Sequence, residues 1–189
     1  MISIQSPVPI IGFAAYSGTG KTTLLTTIIP LLTERGYRLG MIKHAHHSFD
    51  VDQPGKDSYR LRKAGTQQML IGSRNRWALM VENDREKPEP GLQALLERLD
   101  TSTLDCILVE GFKRESFPKI ELHRSELNRE LMFPHDDTII AIATDQPIGA
   151  DHNAERKNDL NNLSNIVQLD INDPPAIADF IIQSVIQRR

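Results

Sequence analysis

The chain has 189 residues, of which 39% are hydrophobic and 25% charged, a balance that suits a globular α/β protein with a real core. The net charge of −3 argues against nucleic acid or an anionic membrane as partner. No apolar run approaches the roughly 18 residues that a membrane helix needs, and a lone cysteine, Cys106, excludes an intrachain disulfide.

Met1 to Pro9 reads as a lead-in, with Pro7 and Pro9 breaking any regular element. It carries no basic segment followed by an apolar core and cleavage site, so a cytoplasmic location is expected. Ile10, Ile11, Phe13 and Ala14 form the short apolar run of a buried parallel strand. The run leads into Ala15, Tyr16, Ser17, Gly18, Thr19, Gly20, Lys21, Thr22 and Thr23, and a helical pattern begins at once.

A strand, a glycine-rich turn, Lys-Thr and a helix in that order form a phosphate-binding loop. Gly18 and Gly20 permit positive φ and a close approach of backbone to phosphate. The loop amides and the helix dipole favour an anion there. Lys21 supplies a mobile positive charge for the outer phosphates, and the Thr22 hydroxyl is placed to ligate Mg²⁺. Ala15 stands where the motif usually opens with glycine, and a residue that small still fits.

The first helix is expected over about Lys21 to Arg35, with Leu24, Leu25, Ile28, Ile29 and Leu32 as its buried stripe. Pro30 inside it should kink or divide it, and Gly36 ends it. Arg38 to Lys43 reads as a second strand. A polar loop with His44, His46, His47, Asp50 and Asp52 follows, broken by Pro54-Gly55.

The three histidines and two aspartates in this loop suggest a metal site, but their spacing fits no standard zinc pattern. Because the loop follows the second strand, the preferred reading makes Asp50 or Asp52 a contact for Mg²⁺ or its water. Lys43 or Lys56 then lies near the triphosphate. Asp57 or Ser58 can cap a short helix over Tyr59 to Ala64, ended by Gly65.

Gln68 to Gly72 and Trp77 to Glu82 read as a β-hairpin, in which Trp77 suits packing better than base stacking. Leu92, Leu95, Leu96 and Leu99 give a helical stripe with Pro90 at its start. Leu104 to Val109 is a central buried strand. Cys106 within it reads as a small buried hydrophobe.

Glu110 ends that strand, where a phosphate-loop protein needs an acidic residue facing Mg²⁺ or its water, and Gly111 lets the backbone approach a phosphate. Lys113 and Arg114 beyond it suit either a phosphorylated ligand or partner, or plain surface charge. Lys119 to His123 and Thr138 to Ala143 are further strands, and Ser125 to Asp137 between them could hide a lid.

Asp145 follows a late strand, where an aspartate can accept two N–H groups from guanine. Asp145-Gln146-Pro147 is equally good turn chemistry. Asp145 to Asn165 is mostly polar, with at most a weak helix, and Ile166 to Leu169 reads as a last strand. Asp173 should cap a C-terminal helix with Pro174 at its first position.

Strands alternating with helices predict one α/β domain over residues 1–189. It has the phosphate-loop NTPase fold, a mostly parallel sheet with helices on both faces, and the hairpin is an addition.

Several stretches together resemble one family. They are Ala15 to Leu25, Ile42-Lys43-His44-Ala45-His46-His47, Asp50-Val51-Asp52-Gln53-Pro54-Gly55-Lys56-Asp57-Ser58, Arg62-Lys63-Ala64-Gly65, Arg76 to Met80, and Leu108 to Lys113. They are similar to the molybdopterin-guanine dinucleotide biosynthesis protein B family. That resemblance implies a homodimeric GTP-binding protein with weak GTPase activity. It also implies an adaptor role beside the guanylyltransferase that joins GMP to molybdopterin.

On this reading GTP and Mg²⁺ are the cofactors. Lys21 and Glu110 carry what catalysis there is, Thr22, Asp52 and Glu110 hold the metal, and the loop residues with Gly111 and Asp145 hold the nucleotide. Two other readings remain open, a small-molecule kinase using ATP and a nucleotide-dependent scaffold without catalysis.

Overall fold

The computed structural model describes residues 4–45, 49–84, 86–148 and 166–188. They divide into two compact units, Met1–His44 with Gly91–Arg189, and Ala45–Pro90.

The larger unit is built on six parallel strands. They are β1 (Ile10–Ala15), β2 (Leu39–Lys43), β5 (Cys106–Glu110), β6 (Lys119–His123), β7 (Ile139–Thr144) and β8 (Val167–Asp170), in the spatial order β2-β5-β1-β6-β7-β8. Parallel strands are joined by crossovers that cover both faces, so their sequences run apolar without alternation, as Ile10 to Ala15 and Cys106 to Val109 do.

On one face lie α1 (Lys21–Glu34) and α4 (Pro174–Ile181), the latter continuing into a π-type turn over Ile182–Ile186. Leu24, Leu25, Ile28 and Leu32 of α1 and Ile177, Ala178 and Ile181 of α4 pack on Ile11, Phe13, Cys106, Leu108, Ile120 and Leu122. The other face receives Leu92 and Leu96 of α3 (Leu92–Leu96), which meet Ile10, Ile42, Ile107 and Val109. Each of the leucine, isoleucine, valine and phenylalanine side chains among them contributes about 1.5–3 kcal/mol of burial.

Pro30 lies inside α1, and the helix runs through it undivided. The missing N–H costs one intrahelical bond, while the burial of Ile28 and Leu32 on either side holds the helix on the sheet. Asp173 caps α4 as expected, its carboxylate accepting the Ala176 amide at 3.2 Å.

The smaller unit contains α2 (Asp57–Lys63) and an antiparallel pair, β3 (Gln68–Gly72) and β4 (Trp77–Val81). Lys56, not Asp57 or Ser58, occupies the N-cap of α2, because the helix already begins at Asp57; the Ser58 hydroxyl in its first turn donates to Asp52 at 2.9 Å. Trp77 is 71% exposed, so the expected hairpin packing does not bury it; its cross-strand neighbour is Gly72, which offers no side chain.

Ser125 to Asp137 forms two short 3₁₀ turns, Ser125–Leu127 and Phe133–His135. The weak helix sought in Asp145 to Asn165 falls largely outside the described residues, as do His46 and His47.

Candidate functional site

The carboxyl ends of β1, β5 and β6 meet at one edge of the sheet. Register pairs Phe13 with Glu110 and Ala15 with Leu122. Ligands of open α/β sheets bind at such an edge, where the crossovers reverse direction.

β1 ends at Ala15, and the chain turns through Tyr16–Gly20 into α1. Gly18 and Gly20 have φ of +86° and +90°, and Gly20 is itself the N-cap of α1. A Cβ at either would meet nothing within 4 Å, so backbone conformation rather than crowding requires glycine there. Inside the turn, buried Thr19 donates its hydroxyl to the Tyr16 carbonyl at 2.9 Å, and its own carbonyl accepts the Arg124 guanidinium at 3.3 Å. The turn is therefore braced from within and from β6's exit loop. Ser17, Thr22 and Thr23 stay exposed, and the Thr23 carbonyl accepts the Thr26 and Thr27 hydroxyls.

Glu110 closes β5 beside this loop. Its carboxylate lies 3.8 Å from the Lys21 ammonium and 3.1 Å from that of Lys43 at the end of β2. Three residues singled out from sequence are thus brought together, one carboxylate between two cations. Oxygen donors suit Mg²⁺, and the Glu110 carboxylate and the Thr22 hydroxyl are the two here that could hold it.

Gly111 follows at φ +100°, and a Cβ there would stand 2.5 Å from the Cβ of His44. Phe112 continues at φ +53° and packs its ring on that of His44, centroids 4.9 Å apart. Two successive residues in this region, one of them bulky, mark a backbone held by its surroundings.

Asp145 stands just past β7. It accepts the Ser125 amide at 2.9 Å and the Ser125 hydroxyl at 3.1 Å, and these bonds, the amide first, hold its carboxyl below the usual range. One bond falls on each oxygen, which leaves lone pairs for a ligand. The turn reading has a basis too, since Thr144 donates its hydroxyl to the Gln146 carbonyl at 2.9 Å.

Asp52 belongs to the smaller unit, where it accepts the Ser58 hydroxyl and the Gln53 amide. Asp50 there pairs with Arg62, which also binds Glu82 at 2.8 Å. Among the described residues, no three His, Cys, Asp or Glu side chains come together as a metal cluster.

Sequence reasoning missed a polar stripe on β6. Lys119 and Glu121 are each 1% exposed. Lys119 donates to the carbonyls of Glu115 (2.7 Å) and Lys113 (3.4 Å) and to Asp136 (2.8 Å). Glu121 accepts the amides of Met132 and Phe133, both at 2.8 Å, and the His123 ring contacts the Arg129 carbonyl at 3.2 Å. Burial pushes the Glu121 carboxyl up to about 7 despite those two amides. The signal was present: Lys-Ile-Glu-Leu-His alternates with period two, although a strand of a doubly covered sheet should be apolar throughout.

The model of the family described as "Molybdopterin guanine dinucleotide synthesis protein B" matches residues 10–145. The chain belongs to this family. It is 49% identical over 182 residues to the molybdopterin-guanine dinucleotide biosynthesis adapter protein of Escherichia coli, covering 95% of this chain and 94% of that one. The adapter protein of the same description from Haemophilus influenzae is 41% identical over 183 residues, covering 96% and 92%.

The crystal structure of Bacillus subtilis MobB superposes with a TM-score of 0.65 at 24% identity, over 94% of this chain and 98% of that one, and so carries the fold. The phosphate-loop α/β architecture expected from sequence is the architecture of this family.

Proposed function

We propose that the chain is a GTP-binding adaptor in molybdopterin-guanine dinucleotide biosynthesis, with slow intrinsic GTP hydrolysis. The observation that carries the nucleotide half is the junction at Gly20. A left-handed residue delivers the chain into α1, and the first helical side chain, Lys21, lies 3.8 Å from Glu110 at the end of the neighbouring strand. The adaptor half rests on likeness to the Escherichia coli and Haemophilus influenzae adapter proteins over nearly the whole chain.

Loop amides and Lys21 hold the β- and γ-phosphates, and Thr22 and Glu110 provide oxygen donors for Mg²⁺. The metal, when bound, neutralises charge developing on the phosphate oxygens. Water attacks the terminal phosphorus, the bond to the β-phosphate oxygen breaks, and GDP and phosphate leave.

Among the described residues no side chain is assigned to orienting that water, which fits slow turnover. Asp145 is the candidate for guanine. The partners of this reading are the guanylyltransferase and molybdopterin, in the cytoplasm. A homodimer draws support from the hairpin, where Leu70, Leu79 and Trp77 share one face and are 64%, 50% and 71% exposed.

Calorimetric titration of GTP, ATP and GDP with Mg²⁺ tests this, beside the same titrations on Lys21→Ala. GTP should bind at least tenfold more tightly than ATP, and the variant should lose GTP affinity by at least tenfold while staying folded. Equal GTP affinity in the two proteins would overturn the reading.

A further inference from the structure

Two cations beyond Lys21 converge on the phosphate loop. The Lys113 ammonium lies 5.4 Å from the centroid of the Tyr16 ring, and the Arg129 guanidinium 5.7 Å from it. Among the described residues, neither makes an ion pair within 4 Å. The charge nearest Lys113 is mixed: burial and then the Lys21 cation push its ammonium below the usual lysine range, and Glu121 works in the opposite sense.

Exposed cations are ordinarily mobile, and these two sit on fixed backbone. The Lys113 carbonyl accepts buried Lys119, and the Arg129 carbonyl meets His123. Glu121 fastens the same segment at Met132 and Phe133, and Lys119 fastens it again at Asp136. One polar stripe on β6 therefore ties down both segments that bring a cation to Tyr16. Burying a lysine and a glutamate is costly, and a fixed geometry is the return on it.

We propose that Lys113 and Arg129, seated on Tyr16, form a second phosphate subsite beside the nucleotide's own, taking the phosphomonoester of a second ligand. This rests on the phosphate-loop reading above. The nucleotide's phosphates already have Lys21, the loop amides and the metal. An arginine on the terminal phosphate would speed hydrolysis by about 10³–10⁵, which conflicts with the slow turnover proposed above. A phosphomonoester that is held and not hydrolysed uses the same two cations without that consequence. Arginine and lysine together suit a phosphate dianion, one as a planar fork and the other as a point charge.

The test saturates the full chain with guanosine 5′-(β,γ-imido)triphosphate and Mg²⁺, which fills the terminal phosphate position, and titrates inorganic phosphate by calorimetry. Saturable phosphate binding is expected in the wild type, weakened at least tenfold in Arg129→Gln and in Lys113→Gln. Analogue affinity should move threefold or less in both, with the far-UV circular dichroism unchanged.

The absence of saturable phosphate binding in the wild type, or equal binding in both variants, overturns the proposal. So does a tenfold loss of analogue affinity in both variants, because the cations then serve the nucleotide itself. Should the wild type fail to bind the analogue, the nucleotide reading falls separately. The phosphate titration is then made on Lys21→Ala, where binding that remains sensitive to Arg129→Gln keeps the subsite and its loss removes it.

Discussion

Three glycines of the larger unit separate two costs that are usually measured together. Gly18 has φ +86° and open space around a would-be Cβ. Gly12 has no positive φ, but a Cβ there would stand 2.5 Å from the Phe117 ring and 2.9 Å from the Lys119 side chain. Gly111 has both, φ +100° and 2.5 Å to His44. Alanine in the left-handed region costs about 1–2 kcal/mol, and overpacking a tight site about 1–3 kcal/mol.

Gly18→Ala should therefore cost about 1–2 kcal/mol, Gly12→Ala about 1–3, and Gly111→Ala about 2–5 if the two terms add. With a urea m-value of about 2 kcal/mol/M, the midpoint falls by about 0.5–1 M for Gly18→Ala and by about 1–2.5 M for Gly111→Ala. Urea titration followed by far-UV circular dichroism reads all three. A Gly111→Ala midpoint no lower than that of Gly18→Ala would refute the packing argument, and with it the close seating of His44 on the backbone after Glu110.

The remaining predictions concern buried titratable groups. The Glu121 carboxyl is raised by burial to about 7, so between its unfolded value and 7 the folded state holds a proton that the unfolded chain has released. Stability then falls as pH rises through that window, by about 3 kcal/mol in all, and levels off above it. Glu121→Gln should flatten the urea midpoint between pH 5 and 7; an unchanged slope would show that Glu121 titrates normally. Burial pushes the Cys106 thiol up to about 12, so an aromatic disulfide reagent at pH 8 should leave the native protein unlabelled and label it stoichiometrically in urea. Rapid labelling of the native protein would contradict the buried position of β5.

The phosphate loop, its flanking strand and helix and the acidic end of β5 were legible because each is a local pattern. Glycine at positive φ, a run of apolar residues and a cap are properties of a few consecutive residues, and Asp173 over α4 follows the same logic. The cap of α2 was misread for the opposite reason. The helix begins at Asp57, so Asp57 and Ser58 fall inside its first turn, where Asp52, six residues before Ser58, accepts the Ser58 hydroxyl. Local grounds lead one to expect Pro30 to kink or divide α1, and the packing of that helix on the sheet keeps it undivided despite one lost backbone bond. Trp77 looked like a packing residue by its type, and its neighbour across the hairpin proved to be glycine.

Fold class, family and the glycine-rich loop between β1 and α1 are legible in the amino-acid order alone. Those depend on periodicities and motifs shorter than about twenty residues. Only the tertiary structure decided which distant side chains share a site. Lys43 and Glu110 are separated by 67 positions, and they meet because β2 and β5 pair in parallel register. Lys113 and Arg129 reach Tyr16 because two side chains of one intervening strand, buried Lys119 and half-buried His123, hold their backbones. Side chains that converge from separate segments obey the sheet's register and the hydrogen bonds of its buried polar groups, and neither of these is written in the spacing of residues along the chain.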